Sequence, residues 1–248
     1  MLLRICLYLV LLFLPANYTA TRSSSPLIPA DPAAAMSSVC RQLYADMQLD
    51  NVVDYTAFEQ AITGAQAIER RNKDIITLID FTKPSTEERL YVLDIRHKKL
   101  LFSSLVSHGK NSGGNYATSF SNKVNSYKSS LGFFVTENTY QGKNGYSLVL
   151  NGLEKGINDR AKERAIVVHG ANYCNPSVAA SAGRLGRSFG CPALPQSLAK
   201  PIINTIKNGT LLYIYANDKN YLSQSTILST GRSISPNSII ALNSLIRE

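Results

Sequence analysis

Residues 165–194 read AIVVHGANYCNPSVAASAGRLGRSFGCPAL. The stretch opens on an apolar run, Ala165-Ile166-Val167-Val168, which predicts a buried strand ending at His169. A Gly-, Ser- and Asn-rich passage follows, and then Arg187-Ser188-Phe189-Gly190-Cys191-Pro192. A histidine at a strand end and a cysteine behind a glycine are the parts that a thiol nucleophile and its base require. The thiolate is the attacking species, and an imidazole within hydrogen-bond reach generates it near neutral pH. Gly190 has no side chain to obstruct an approaching carbonyl, and backbone N–H groups around Gly190 and Cys191 can point at the oxygen that becomes negative.

Outward from this stretch the pattern is that of short strands. IITLIDF at 75–81 and RLYVLDI at 89–95 are β-branched and aromatic runs separated by Thr82-Lys83-Pro84-Ser85, a turn. Residues 90–106 read as a hairpin with its tip at 96–99, which makes His97 a solvated loop residue. Short strands recur in SLGFFVTE, YSLVLNGL, AIVVHG and TLLYIYA, and a helix is expected over 195–207. The fold class expected is mainly β with α, a mixed β-sandwich or barrel-like sheet pair with a small N-terminal helical preface. Residues 108–130 are polar, and a passage this long inside a compact domain is usually functional or disordered. Tyr116, Phe120 and Tyr127 argue against plain disorder. His108 begins the passage; two roles stay open for it, contact with a substrate in the cleft of His169 and a structural bond within the loop.

The segment resembles the catalytic domain of the murein L,D-transpeptidases, the YkuD-like cysteine transpeptidases, whose signature is a His followed by a Ser/Thr-X-Gly-Cys block. His169 matches the histidine, and Ser188, Gly190 and Cys191 the nucleophile block. Further blocks in order carry the resemblance over residues 80–216: DFTKPSTEERLYVLDI, SHGKNSGGNYATSFSN, SSLGFFVTENTYQGKNGYSLVLNGLEKG and GRLGRSFGCPALP. Two positions depart from the better-known branch. Phe189 stands where a second histidine is usual, and Ala193 where an Arg or Asn commonly follows the cysteine.

The resemblance implies a reaction on the stem peptides of peptidoglycan. Cys191 attacks the third stem residue, a diamino acid, expelling the terminal D-Ala. The thioester then passes to a side-chain amine of a second stem. His169 serves as base, and no metal or organic cofactor is needed. Arg184 and Arg187 flank the nucleophile and suit a substrate carboxylate, since guanidinium pairs with carboxylate bidentately; loop folding through backbone bonds is their rival role. Tyr173, in the same loop, is a further candidate for substrate contact. Water in place of the amine would make the chain an L,D-carboxypeptidase or amidase-like hydrolase. A non-catalytic wall-binding module, or a zinc module on His169, Cys174 and Cys191, is a second alternative; the spacing of those three fits no compact ligand pairing.

The first 20 residues read as a secretory signal, with Arg4 as its positive end and residues 5–14 as an apolar core too short to span a bilayer. The mature chain is therefore expected in the periplasm or cell envelope, without a stable membrane anchor and as a monomer. Removing the signal takes away one unit of the formal charge of +9. An exported basic protein rarely meets nucleic acid; wall-peptide carboxylates or anionic lipid are the expected attraction, beside a plain solubilising surface. Three cysteines remain after export, Cys40, Cys174 and Cys191, so at least one is free; a Cys40–Cys174 disulfide stays open. The domain reading is a linker over 21–36, a helical segment over 37–72, the catalytic domain over 73–220 and a tail over 221–248. In the helical segment, Thr56 and Glu59 have capping-box spacing, and Phe58, Ile62, Ala65 and Ile68 share a face. In the tail, a short helix is expected near Pro236.

Overall fold

The structure, a computed structural model, describes residues 32–72 and 74–232. The signal sequence and the helix expected near Pro236 lie outside those residues. Two helices come first, α1 (Pro32–Asp46) and α2 (Tyr55–Gln66). Strands β1 (Ile75–Asp80), β2 (Leu90–Asp94), β3 (Lys99–Ser104), β4 (Gly132–Gly142), β5 (Gly145–Gly152) and β6 (Val167–Gly170) follow. Then come α3 (Pro176–Ala182), β7 (Ala193–Leu194), α4 (Gln196–Ile206), β8 (Leu211–Tyr215), α5 (Lys219–Gln224) and α6 (Thr226–Arg232).

All eight strands form one sheet in the order β3-β2-β1-β8-β4-β5-β6-β7. Neighbours run antiparallel except β1 with β8 and β6 with β7. The sheet curls until its two ends nearly meet. Just past β3, the Ser107 N–H donates to the Ala193 carbonyl of β7 at 2.8 Å. The result is a nearly closed barrel with a few helices, as the strand pattern suggests.

Burial follows the sequence period. β1 and β8 are buried at every position, the pattern of strands covered on both faces. α2 lies over this region: Phe58, Ala61, Ile62 and Ala65 are buried on the expected face. Its cap differs from the expected one. Asp54, not Thr56, is the N-cap, and its carboxylate accepts the Ala57 N–H at 2.8 Å. α4 seals the other side with Ile202, Ile203 and Ile206.

Three boundaries need correction. α1 starts at Pro32, inside the stretch read as linker, because Ala35 and Met36 find a buried face. Asn175, Pro176 and Gly183 bound a helix in the passage read as loop. Asn175 caps it, proline preorganises its first turn, and Gly183 at φ 66° ends it. Residues 221–232, read as tail, belong to the core. Tyr221 and Ser225 hydrogen-bond the buried carboxylate of Glu154, which also accepts the Phe133 N–H at 2.8 Å.

α2 comes close to the sheet at Gly64. A Cβ there would lie 2.1 Å from Cζ of Phe133, whose ring stacks on Tyr213 at 4.2 Å. Alanine would add about 1 kcal/mol of helix propensity, but overpacking costs about 1–3 kcal/mol. Gly64→Ala should therefore lower the urea midpoint. Phe133→Leu in the same protein should recover part of the loss, because it shortens the ring that the new methyl strikes.

Candidate active site

The sheet closure places the cysteine. His169 of β6 is the register partner of Ala193, two residues past Cys191. Cys191 is 8% exposed, and its Sγ faces the start of β6. Sγ accepts from the Val167 N–H at 3.5 Å and donates to the Ala165 carbonyl at 3.6 Å. Burial pushes the thiol above its ordinary value, while the Val167 N–H and the Arg164 charge pull it down.

Ser188 holds the turn. Its Oγ accepts the Gly190 N–H at 3.0 Å and donates to the Cys191 carbonyl at 2.6 Å. Gly190 has φ 126°, and a Cβ would meet the Lys128 carbonyl oxygen at 2.8 Å and Ile166 Cδ1 at 2.9 Å. Glycine is needed here for backbone angle and packing. With its N–H on Ser188, Gly190 also has no donor left for an oxyanion. The Cys191 N–H stands beside the sulfur instead.

His169 is 4% exposed, and its Nδ1 lies 2.9 Å from the Gly170 carbonyl oxygen. Only an N–H can face a carbonyl, so Nδ1 carries the hydrogen and Nε2 keeps its lone pair. Burial lowers the imidazole's proton affinity; the Gly170 bond opposes this. Burial thus favours the uncharged form of both the thiol and the imidazole. α4 braces this strand end: a Cβ on Gly170 would meet Gln196 Oε1 at 2.6 Å and Ala199 Cβ at 3.0 Å.

Arg164 is a residue that sequence reasoning missed. Its guanidinium donates to the Ser121 carbonyl (2.8 Å), Ser130 Oγ (2.5 Å), Ser126 Oγ (3.3 Å) and the Lys128 carbonyl (2.5 Å). It lies behind Gly190, 3.3 Å from where a Cβ would be. Ala165 follows at φ 52°, a left-handed angle uncommon for a residue with a Cβ, and turns its carbonyl to the thiol. No signal in the sequence separates Arg164 from the other scattered Lys and Arg residues.

Residues 49–215 match the family profile of the L,D-transpeptidase catalytic domain. The chain belongs to this family. Similar solved structures include an LD transpeptidase in complex with imipenem, at 14% identity and TM-score 0.35, over 57% of this chain and 59% of that one. An L,D-transpeptidase from Mycobacterium smegmatis has 13% identity and TM-score 0.36, over 58% and 59%. L,D-transpeptidase 3 from Mycobacterium tuberculosis, in complex with a faropenem-derived adduct, has 11% identity and TM-score 0.37, over 58% and 60%. The chain thus spans about three-fifths of each relative's length. No curated protein matches it significantly. The family match takes in α2, which the sequence reading had assigned to a separate preface.

In this transpeptidase domain the remaining expected residues fall into two groups. Tyr173 packs on Gly186, where a Cβ would lie 2.4 Å from its own. Burial and the nearby Cys191 and Cys174 push its phenol up to about 12. Arg184 donates to the Leu185 carbonyl at 3.0 Å, and Arg187 to the carbonyls of Lys110 (3.0 Å) and Gly113 (2.8 Å). These are the loop-folding bonds that the sequence left as a rival to carboxylate binding.

His108 is fully buried. Its Nδ1 takes a hydrogen bond from Arg89 Nη2 at 2.8 Å, and Nε2 faces the Gly113 carbonyl at 3.5 Å. Of its two open roles, these bonds fit the structural one. The polar loop around it is ordered about Ser112, whose carbonyl accepts from Thr118 and Ser119 and whose Oγ accepts the Ser129 N–H. Cys40 and Cys174 are free and sit in separate apolar clusters, which excludes a bond between them in this fold. Burial pushes their thiols up to about 12 and about 11. Among the described residues no three His, Cys, Asp or Glu side chains are grouped to hold a metal ion, and no helix is long and apolar enough to cross a membrane.

Burial, then the Arg89 charge, push the His108 imidazole down to about 4. An unfolded histidine titrates near about 6.5, so as pH falls the unfolded chain takes up this proton first. The stability held by the neutral ring is complete above about pH 6.5 and is lost towards pH 4, on the order of 3 kcal/mol. Urea unfolding at about pH 7 and about pH 4.5 should show this loss in the parent, and a smaller one in His108→Gln.

Proposed function

We propose that this chain is an exported murein L,D-transpeptidase that forms crosslinks through a thioester on Cys191. One observation carries the reading. The imidazole of His169, fixed through Nδ1 by the Gly170 carbonyl, is in register with the strand that begins two residues after Cys191. A base of this kind needs no preformed ion pair, because it takes the thiol proton as attack begins.

The thiol rests on the Ala165 carbonyl; rotation about the Cys191 side chain then turns it to His169 Nε2. Sγ bonds to the carbonyl carbon of the third stem residue as its proton passes to Nε2. The oxyanion is held by the Cys191 N–H. As the C–N bond breaks, Nε2 returns the proton to the departing D-Ala amine. The side-chain amine of a second stem then attacks the thioester carbonyl and gives its proton to Nε2, and the C–S bond breaks to restore the thiol. Ser188 and Gly190 shape the turn that aims Sγ. Tyr173, Arg184 and Arg187 border the donor site, and His108 acts through the loop it supports. The catalytic domain, read over 73–220, acts as a monomer in the cell envelope and follows a signal sequence, a linker and a helical segment.

Incubation with disaccharide-tetrapeptide, followed by mass spectrometry, tests the reading. Release of D-Ala with dimer formation is expected; release without dimer would assign a hydrolase on the same site. Cys191→Ala should abolish release, whereas Cys174→Ala should retain most of it. His169→Ala should slow acylation about a hundredfold or more. Undiminished release of D-Ala by Cys191→Ala would end the cysteine reading.

A further inference from the structure

Beside the nucleophile stands a group of side chains to which the reaction above gives no task. Phe189, two residues before Cys191, is 66% exposed, more than any other large apolar side chain among the described residues. Its ring lies 4.9 Å from that of Tyr127, which is 36% exposed. Lys110 Nζ is 4.3 Å from the centre of the Tyr127 ring and 4.6 Å from that of Phe189, so one ammonium covers both.

The backbone beneath this group is tied to the nucleophile turn. The Lys110 N–H donates to the Ser188 carbonyl at 2.8 Å, and the Asn111 N–H to the Tyr127 carbonyl at 3.1 Å. Arg187 bonds the Lys110 carbonyl from the same side. Among the described residues, neither Lys110 nor Arg187 is paired with a carboxylate. An exposed ring pair capped by an unpaired ammonium is a surface for a ligand with an apolar part and a negative end.

We propose that Phe189, Tyr127 and Lys110 bind the carboxylate end of the acyl donor, the residue that is released. This rests on the acyl-transfer reading and names the part of the substrate that the site selects. The reach fits. Two residues of chain span at most about 7 Å, and the leaving carboxylate lies one residue, about 3.5 Å, past the scissile carbonyl. Its methyl would lie on the rings and its carboxylate on Lys110, with Arg187 adding positive field. The same charges repel an incoming ammonium, so the site suits the donor and not the acceptor amine.

The test compares turnover of a stem tetrapeptide with a free C-terminus and of the same peptide as its C-terminal amide. The parent should favour the acid about fivefold in kcat/KM, the effect of one exposed charge pair. Lys110→Met should raise KM for the acid and bring the acid-to-amide ratio close to one. Phe189→Ala should raise KM for the acid, and Phe189→Tyr should restore it. Cys191 alkylation rate and melting temperature, measured on each variant, report the nucleophile turn separately from binding. Equal turnover of acid and amide by the parent, or an unchanged ratio in Lys110→Met, overturns this proposal alone. Turnover of neither peptide by the parent overturns the acyl-transfer reading, and this proposal with it.

Discussion

The structure depends on one short segment being held from both sides. Ala193 pairs with His169 in β6 and accepts the Ser107 N–H from the chain that leaves β3. These contacts join the two ends of an eight-stranded sheet. They also set Cys191 and His169 on adjacent segments. Ala193 is fully buried at this junction.

Around that junction, charge is kept low. Burial disfavours the thiolate and the imidazolium alike. A neutral thiol is slower to react with oxidants than a standing thiolate. The Val167 N–H and the Arg164 guanidinium provide the opposing pull. Arg164 links this electrostatics to architecture, because the same group ties four acceptors of the 109–130 loop behind Gly190.

That loop rests in turn on Arg89. Its guanidinium is fully buried, donates to the carbonyls of Lys83 and Val106, and meets the His108 ring. A buried cation is costly unless its donors are satisfied, and here carbonyls and an imidazole nitrogen satisfy them. The loop's polar residues therefore serve its own folding, with Ser112 and Ser129 buried at its centre. Its exposed aromatics, Tyr116 and Tyr127, remain at the surface.

The sequence by itself determined the strands, since β-branched and aromatic runs bounded by turn residues have few other ways to bury themselves. It also determined the helix after Cys191, the apolar face of α2, and the pairing of His169 with Cys191 as base and nucleophile candidates. It left unread what depends on distant partners. A guanidinium at Arg164 or Arg89 looks in sequence like any solvated cation; only the fold surrounds it with carbonyls from residues 36 to 43 positions away, or 6 to 17. The helix at Asn175-Pro176 was legible from its cap, and the polar composition around it hid it. The role of Gly190 changed for a similar reason. Its left-handed φ and the packing of Lys128 and Ile166 against it are tertiary facts. So is the use of its N–H by Ser188, because a hydrogen bond is decided by where the chain brings its acceptor.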